Sequence, residues 1–168
     1  MKIGIVSDSH GLVQEIKAIY QRHQHEVELW IHCGDSELFP DSLQPFVAVK
    51  GNCDLGPFPK EEKIETPLGV IFVTHGHHYQ VKSTLMPLKY RSEEVGAKVV
   101  CFGHTHVAMT EKVDDVLFIN PGSIKKPRIR VEKTYCILDW EEQKMSVRFF
   151  DLEGRELTDM FQQYPVHT

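Results

Sequence analysis

Five short apolar runs, each ending in a polar cluster, restrict what this chain can fold into. The runs are Ile3 to Val6, Val27 to Ile31, Phe46 to Val49, Val70 to Val73 and Val99 to Phe102. The clusters that follow them read Asp8-Ser9-His10, Gly34-Asp35, Gly51-Asn52-Cys53-Asp54, Thr74-His75-Gly76-His77 and Gly103-His104-Thr105-His106. Unbroken β-branched runs of this length are typical of strands buried on both faces. The exits of such strands are where an open α/β sheet gathers a binding site. Asp, Asn and His supply the oxygen and nitrogen donors that hold divalent first-row metals. The repetition is hard to explain by packing, and it points to one metal site built from five strand ends.

The first half of the chain alternates in type. Lys2 to Ser7 reads as a strand, and Leu12, Ile16, Ile19 and Tyr20 fall at helical spacing within Leu12 to His23. Val27 to Cys33 and Phe46 to Val49 are further strands, so a largely parallel sheet is expected. Lys63 to Thr66 and Val70 to Thr74 flank Pro67-Leu68-Gly69 like a hairpin, and a helix opened or kinked by Pro87 is expected within Val81 to Val95. Beyond Phe102, strands over Val107 to Thr110, Val116 to Ile119, Lys133 to Asp139 and Met145 to Asp151 follow with little helix between them. Asp114-Asp115 and Glu141 to Lys144 look like hairpin connections, which suggests an antiparallel second sheet and a two-sheet sandwich with helices outside. Leu152 to Thr168 reads as a short helix or frayed tail. With no repeat, linker or low-complexity tract, residues 1–168 are expected to form one domain.

Composition narrows the function classes. The formal net charge of −5 argues against a dedicated nucleic-acid binder, although bound cations would not enter that sum. No apolar run approaches the roughly 20 residues of a membrane span. The N-terminus enters a strand by its second residue, leaving no room for a signal peptide. Cys33, Cys53, Cys101 and Cys136 show neither C-x-x-C pairing nor a disulfide-like framework, so a cytoplasmic location is expected. Three of these cysteines lie in or beside strands and read as small buried hydrophobes.

Taken singly, each candidate residue has an ordinary explanation. Asp35 could cap a helix, Asn52 could serve a turn, and a buried histidine is more often hydrogen-bonded than metallated. Asp8 and His10, one residue apart at a strand exit, can turn toward the same point, as can His104 and His106. His23 and His25 read as a solvated helix end, His32 as a core histidine, and Lys125, Lys126, Arg128 and Arg130 as a charged face.

In order and spacing, the five clusters together resemble the calcineurin-like metallophosphoesterase superfamily. Asn120-Pro121-Gly122-Ser123, with Pro127-Arg128 beyond it, further resembles the small single-domain bacterial and archaeal phosphodiesterases of that superfamily. The resemblance runs from Lys2 to about Asp151. It implies an α/β fold, a four-layer αββα sandwich of two mixed sheets flanked by helices. It also implies a dinuclear centre in which Asp8, His10 and His106 hold one metal, Asn52, His75 and His104 the other, and Asp35 bridges them. Asp35, Asn52 and His75 are then catalytic as well as metal-ligating. The cofactors are two divalent ions, with Mn²⁺ foremost and Ni²⁺, Fe²⁺ or Zn²⁺ compatible with the same donors.

The expected reaction is hydrolysis of a phosphate ester, a small phosphodiester foremost, by in-line attack of a metal-bridging hydroxide with no covalent enzyme intermediate. Many superfamily members carry histidine after the asparagine, whereas this chain has Cys53, a poorer proton donor near neutral pH. The leaving-group acid is therefore unassigned among His77, His78 and a metal-bound water. Cys53, His77 and Arg128 are candidate substrate contacts. The competing readings are a protein-binding scaffold, since a retromer subunit uses this fold with a degraded metal site, and a nuclease. Exposed edges of the second sheet leave room for a homodimer or higher homo-oligomer.

Overall fold

The computed structural model describes residues 1–167. Two sheets lie face to face. One has strands β1 (Lys2–Val6), β2 (Leu29–His32), β3 (Val47–Ala48), β9 (Thr134–Trp140), β10 (Lys144–Asp151) and β11 (Gln162–Pro165), in the order β11-β10-β9-β1-β2-β3. The other has β4 (Glu61–Thr66), β5 (Gly69–Thr74), β6 (Ala97–Cys101), β7 (Met109–Val113) and β8 (Val116–Asn120), in the order β4-β5-β6-β8-β7. Helix α1 (Val13–His23) covers the outer face of the first sheet and α2 (Met86–Val95) that of the second.

The period-2 alternation of strand side chains produces the layers directly. Ile3, Ile5, Ile71, Val73, Val99, Leu117, Ile119, Cys136 and Leu138 point between the sheets and form one core. The residues between them point outward. Val6, Tyr135 and Ile137 meet Ile16 and Ile19 of α1, while Phe72, Val100 and Phe118 meet Leu88 of α2. Because both faces are covered, these strands are apolar at nearly every position. Gly4 interrupts β1 because a Cβ there would strike the Trp30 ring. Pro87 opens α2, and Gly96 ends it with φ +71°, donating its N–H to the Glu93 carbonyl.

Three sequence expectations are corrected. Residues beyond Phe102 do not build a sheet of their own. β9 lies antiparallel beside β1, with Gly4 opposite Ile137, while β8 lies parallel beside β6, with Val100 opposite Phe118. The reason is burial: Val116–Asn120 is buried at every position and Thr134–Trp140 at all but Asp139, so each needs cover on both faces. The C-terminal segment is not a helix. Beyond a 3₁₀ turn at Thr158–Met160, β11 fills the open edge of β10, and Lys112 Nζ donates to the Pro165 carbonyl across the sheets; Thr168 lies outside the described residues. His23 is not solvated. It is 7% exposed, with Nε2 2.7 Å from the Tyr135 hydroxyl and its ring against Phe150. Among the described residues, no helix is long and apolar enough to cross a membrane.

Candidate metal centre

The parallel strands β1, β2, β3, β5 and β6 all end on one side of the sandwich, and the polar clusters occupy those exits. Bringing two sheets' ends together forces an uncommon backbone. Asp8, His10, Asp35, His104 and His106 have φ between 42° and 72°, the left-handed region that costs non-glycine residues roughly 1–2 kcal/mol each. Strain concentrated in five of the seven expected ligands marks a functional site rather than a folding convenience. Two glycines permit the approach. A Cβ on Gly51 would collide with the Asp35 carboxylate, and one on Gly103 with the Ser7 hydroxyl and the Asp8 carboxylate.

Asp8 sits at the centre. Its Oδ2 accepts from Ser7 Oγ at 2.6 Å and from the His104 amide at 3.0 Å. Its Oδ1 is buried without a hydrogen bond, and three imidazole Nε2 atoms surround it: His106 at 3.2 Å, His75 at 3.7 Å and His10 at 4.0 Å. The other nitrogen of each ring is already committed. His10 Nδ1–H donates to Glu37 Oε1 at 2.5 Å, His75 Nδ1–H to the Cys33 carbonyl at 2.8 Å, and His106 Nδ1–H to the Lys126 carbonyl at 2.7 Å. In the neutral rings this leaves three Nε2 lone pairs aimed at a bare carboxylate oxygen, the tautomer that metal-ligating histidines adopt. Only positive charge satisfies that arrangement.

A second group of donors adjoins the first. His75 Nε2 lies 3.1 Å from Asn52 Oδ1 and 3.3 Å from Asp35 Oδ2, and the His104 ring lies with its centroid 5.1 Å from that of His75. Asp35 belongs to two sets of ligand atoms, one with Asp8 and His75, the other with His10 and Cys53, while Asp8, His10 and His106 make a third. Asp8, His10, Asp35, His75 and His106 thus share ligand-atom sets, with Asn52 reaching His75 and the His104 ring beside it.

The electrostatics agree. Burial raises the pKa of Asp8, but the close His106 and His75 imidazoles and the Ser7 hydrogen bond outweigh it and leave the carboxyl below its usual range. Burial is also the largest effect on Asp35, and the His75 contact reverses it strongly. His75 is lowered by burial, yet Asp35 and Asp8 bring it above the ordinary imidazole value. The Asp8 carboxylate beside it raises His106. His104, lowered to about 4 by burial, then by His75 and Lys82, is a neutral donor at pH 7.

Of the three candidate substrate contacts, Cys53 and His77 lie at the rim. Cys53 is exposed beside Asn52 and pushed up to about 11 by burial and Asp35, so it stays a thiol. The His77 ring lies 5.4 Å from that of His75, with its Nδ1 buried and unpartnered. The Arg128 amide donates to the His106 carbonyl, and its side chain is exposed beyond that histidine.

Sequence reading named Asp54, Asn120, Ser123 and His32 without their contacts, and it missed Glu37. Glu37 orients His10, and its signal was a carboxylate two residues after Asp35. Asp54 accepts from the amides of Asp35, Gly51 and Glu37, holding the two turns together. Ser123 Oγ donates to the Asp8 carbonyl, and Asn120 Nδ2 to the Gly103 carbonyl and Thr105 Oγ1. His32, fully buried, pairs with Ser9 Oγ and accepts from the Gly34 amide.

Layered sheets with a cluster of imidazoles and carboxylates at their shared end define a metal-ligating α/β protein. Residues 1–143 match the calcineurin-like phosphoesterase superfamily domain, and the chain belongs to that family. It is 48% identical over 163 residues to a probable metallophosphoesterase of Bacillus subtilis, spanning 95% of this chain and 96% of that one. It is 37% identical over 144 residues to a phosphodiesterase of Methanocaldococcus jannaschii, spanning 73% and 83%. A Streptococcus pneumoniae crystal structure described as a predicted phosphoesterase superposes with a TM-score of 0.93 at 29% identity, covering 98% and 97%. These relatives support a phosphoesterase hydrolase.

Proposed function

We propose that the chain is a phosphodiesterase working with two divalent cations, manganese foremost. Asp8, His10 and His106 would hold one, Asn52, His75 and His104 the other, with Asp35 between them. The observation that carries this reading is the unpartnered Asp8 Oδ1 ringed by three Nε2 atoms whose rings are fixed from behind. When bound, such cations supply Lewis-acid charge for phosphate oxygens and lower the pKa of water toward about 7.

The chain's own groups do the rest. The Cys53 amide donates to Asp35 Oδ1 at 2.8 Å, fixing the carboxylate's orientation. His77 is lowered by burial and then by His78 and His75, so at neutral pH it offers a hydrogen bond rather than a matched acid. With Cys53 held as a thiol, diesters with good leaving groups suit this site best. Competent donors at all seven positions speak against a scaffold with a degraded site, and the acidic charge speaks against a nuclease. The test is metal analysis with hydrolysis of bis(4-nitrophenyl) phosphate before chelation, after it, and after manganese is restored. Activity lost and regained with the metal is expected; a metal-loaded protein that cleaves no ester would overturn the reading.

A further inference from the structure

Beside the metal centre, on the outer face of the second sheet, runs a groove of about 580 Å³, within the size range of small-molecule sites. Its floor and walls are apolar: Val81, Leu85, Phe102, Val107 and Met109. Its near end adjoins the centre, because it is lined there by Thr105, which lies between His104 and His106. Charge is graded along it. Lys82 and Arg128 line it, and their positive charge acts on His104 and His106 respectively. Glu111 lies further down β7, opposite Phe118, whereas Met109 is opposite Asn120 at the strand end nearest the centre. An anion is favoured at the near end and disfavoured at the far one.

Ile129 also lines the groove and supplies an independent sign of use. It is 89% exposed and holds φ at 69°, a conformation that a β-branched residue adopts only under strain. The neighbouring Arg128 amide is tied to the His106 carbonyl at 2.9 Å, which fixes this loop against the metal centre. Packing inside the protein gives no reason for an isoleucine at that point.

We propose that this groove takes the organic group of the substrate's second ester, and that the group is uncharged and apolar, lying between Met109, Leu85 and Ile129. The proposal rests on the phosphodiesterase reading and names the substrate class that the same site would select. Remote apolar contact of this kind holds the phosphate in register with the centre and contributes to binding in proportion to the area covered.

Calorimetric titration of the manganese-loaded protein with 1-naphthylphosphonate and with methylphosphonate tests it without turnover. The naphthyl compound is expected to bind about tenfold to a hundredfold more tightly. Met109→Trp, which fills the groove, should bring that ratio close to one. Ile129→Gly should lower it several-fold while leaving the Tm unchanged or higher, because glycine relieves the backbone. Equal affinity for the two phosphonates in the unaltered protein would overturn the proposal. So would self-association that Met109→Trp abolishes without any aryl preference, since the groove would then belong to a second copy of the chain. A protein that hydrolyses diesters without aryl preference loses the groove and keeps the hydrolase; one that prefers the aryl ligand but turns over no diester does the reverse.

Discussion

Asp35 shows how one side chain is held for chemistry. Its amide donates to Asp54, its Oδ1 accepts from the Cys53 amide, its Oδ2 faces His75, and its φ is 58°. Asparagine tolerates that backbone, so Asp35→Asn is expected to fold while losing the charge between the two proposed cation positions. Metal analysis should show fewer than two ions per chain, with kcat/KM down about a hundredfold or more; two ions and full activity would remove Asp35 from its bridging role. Cys53→Ala should slow turnover far less, because the backbone amide that orients Asp35 survives the change. Gly103→Ala is predicted to be more damaging than its size suggests. The added methyl meets the Ser7 hydroxyl and the Asp8 carboxylate, so both thermal stability and metal content should fall together. The cluster of donors was legible in the sequence because Asp, Asn and His at strand exits carry their own chemical signature. The roles of Glu37 and Asp54 were not, since orienting an imidazole from behind, or bridging two turns through three amides, depends on approaches of backbone that spacing does not encode. His23 was misread for a similar reason: the last turn of an amphipathic helix looks solvated until β9 and β10 bring Tyr135 and Phe150 against it.

Strand exits are also where elements couple to pH. His32 ends β2, fully buried, with Nδ1 accepting from the Gly34 amide and Nε2 beside Ser9 Oγ. Burial pushes its pKa from the ordinary 6.5 down to about 4. Between those values the unfolded chain takes up a proton that the folded chain refuses. Its contribution to stability is therefore complete above pH 6.5 and declines as pH falls toward 4, by up to about 3 kcal/mol. His75 and His106 act in the opposite sense, their raised pKa values stabilising the fold at low pH and less so as pH rises. A comparison with His32→Gln isolates the first effect: urea melts of both metal-free proteins between pH 7 and 4.5 should show the shallower loss in the variant, and parallel slopes would exclude His32 as the source. Element identity was largely readable here, because two-faced burial leaves unbroken apolar runs and Pro87 marks a helix start. Sheet membership was not. Thr134–Trp140 could equally have continued the second sheet, and it joins β1 because that strand has an apolar edge between two covered faces that nothing nearer in sequence fills.

At the scale of the whole molecule, the metal centre is a junction between sheets. Asp8, His10, Asp35 and Asn52 leave the first sheet, whereas His75, His104 and His106 leave the second. The hydrophobic core between them is continuous, but at this end the layers meet through polar groups, and Asp8 Oδ1 is buried there without a hydrogen bond. A cation bound there would join the two sheets and give that oxygen a partner. An ion that binds the folded chain and not the unfolded one stabilises it by about 2.7 kcal/mol at a hundred times its Kd. For a chain of 168 residues this corresponds to a Tm raised by roughly 5–10 °C. Calorimetry of the protein with manganese, and again after exhaustive chelation, should show that difference and recover it on adding the metal back. In Asp35→Asn the chelator should change the Tm by much less, because the charge that would attract the ion is removed. A chelation shift as large in the variant as in the parent would mean that the stabilising ion sits elsewhere than between the two sheets.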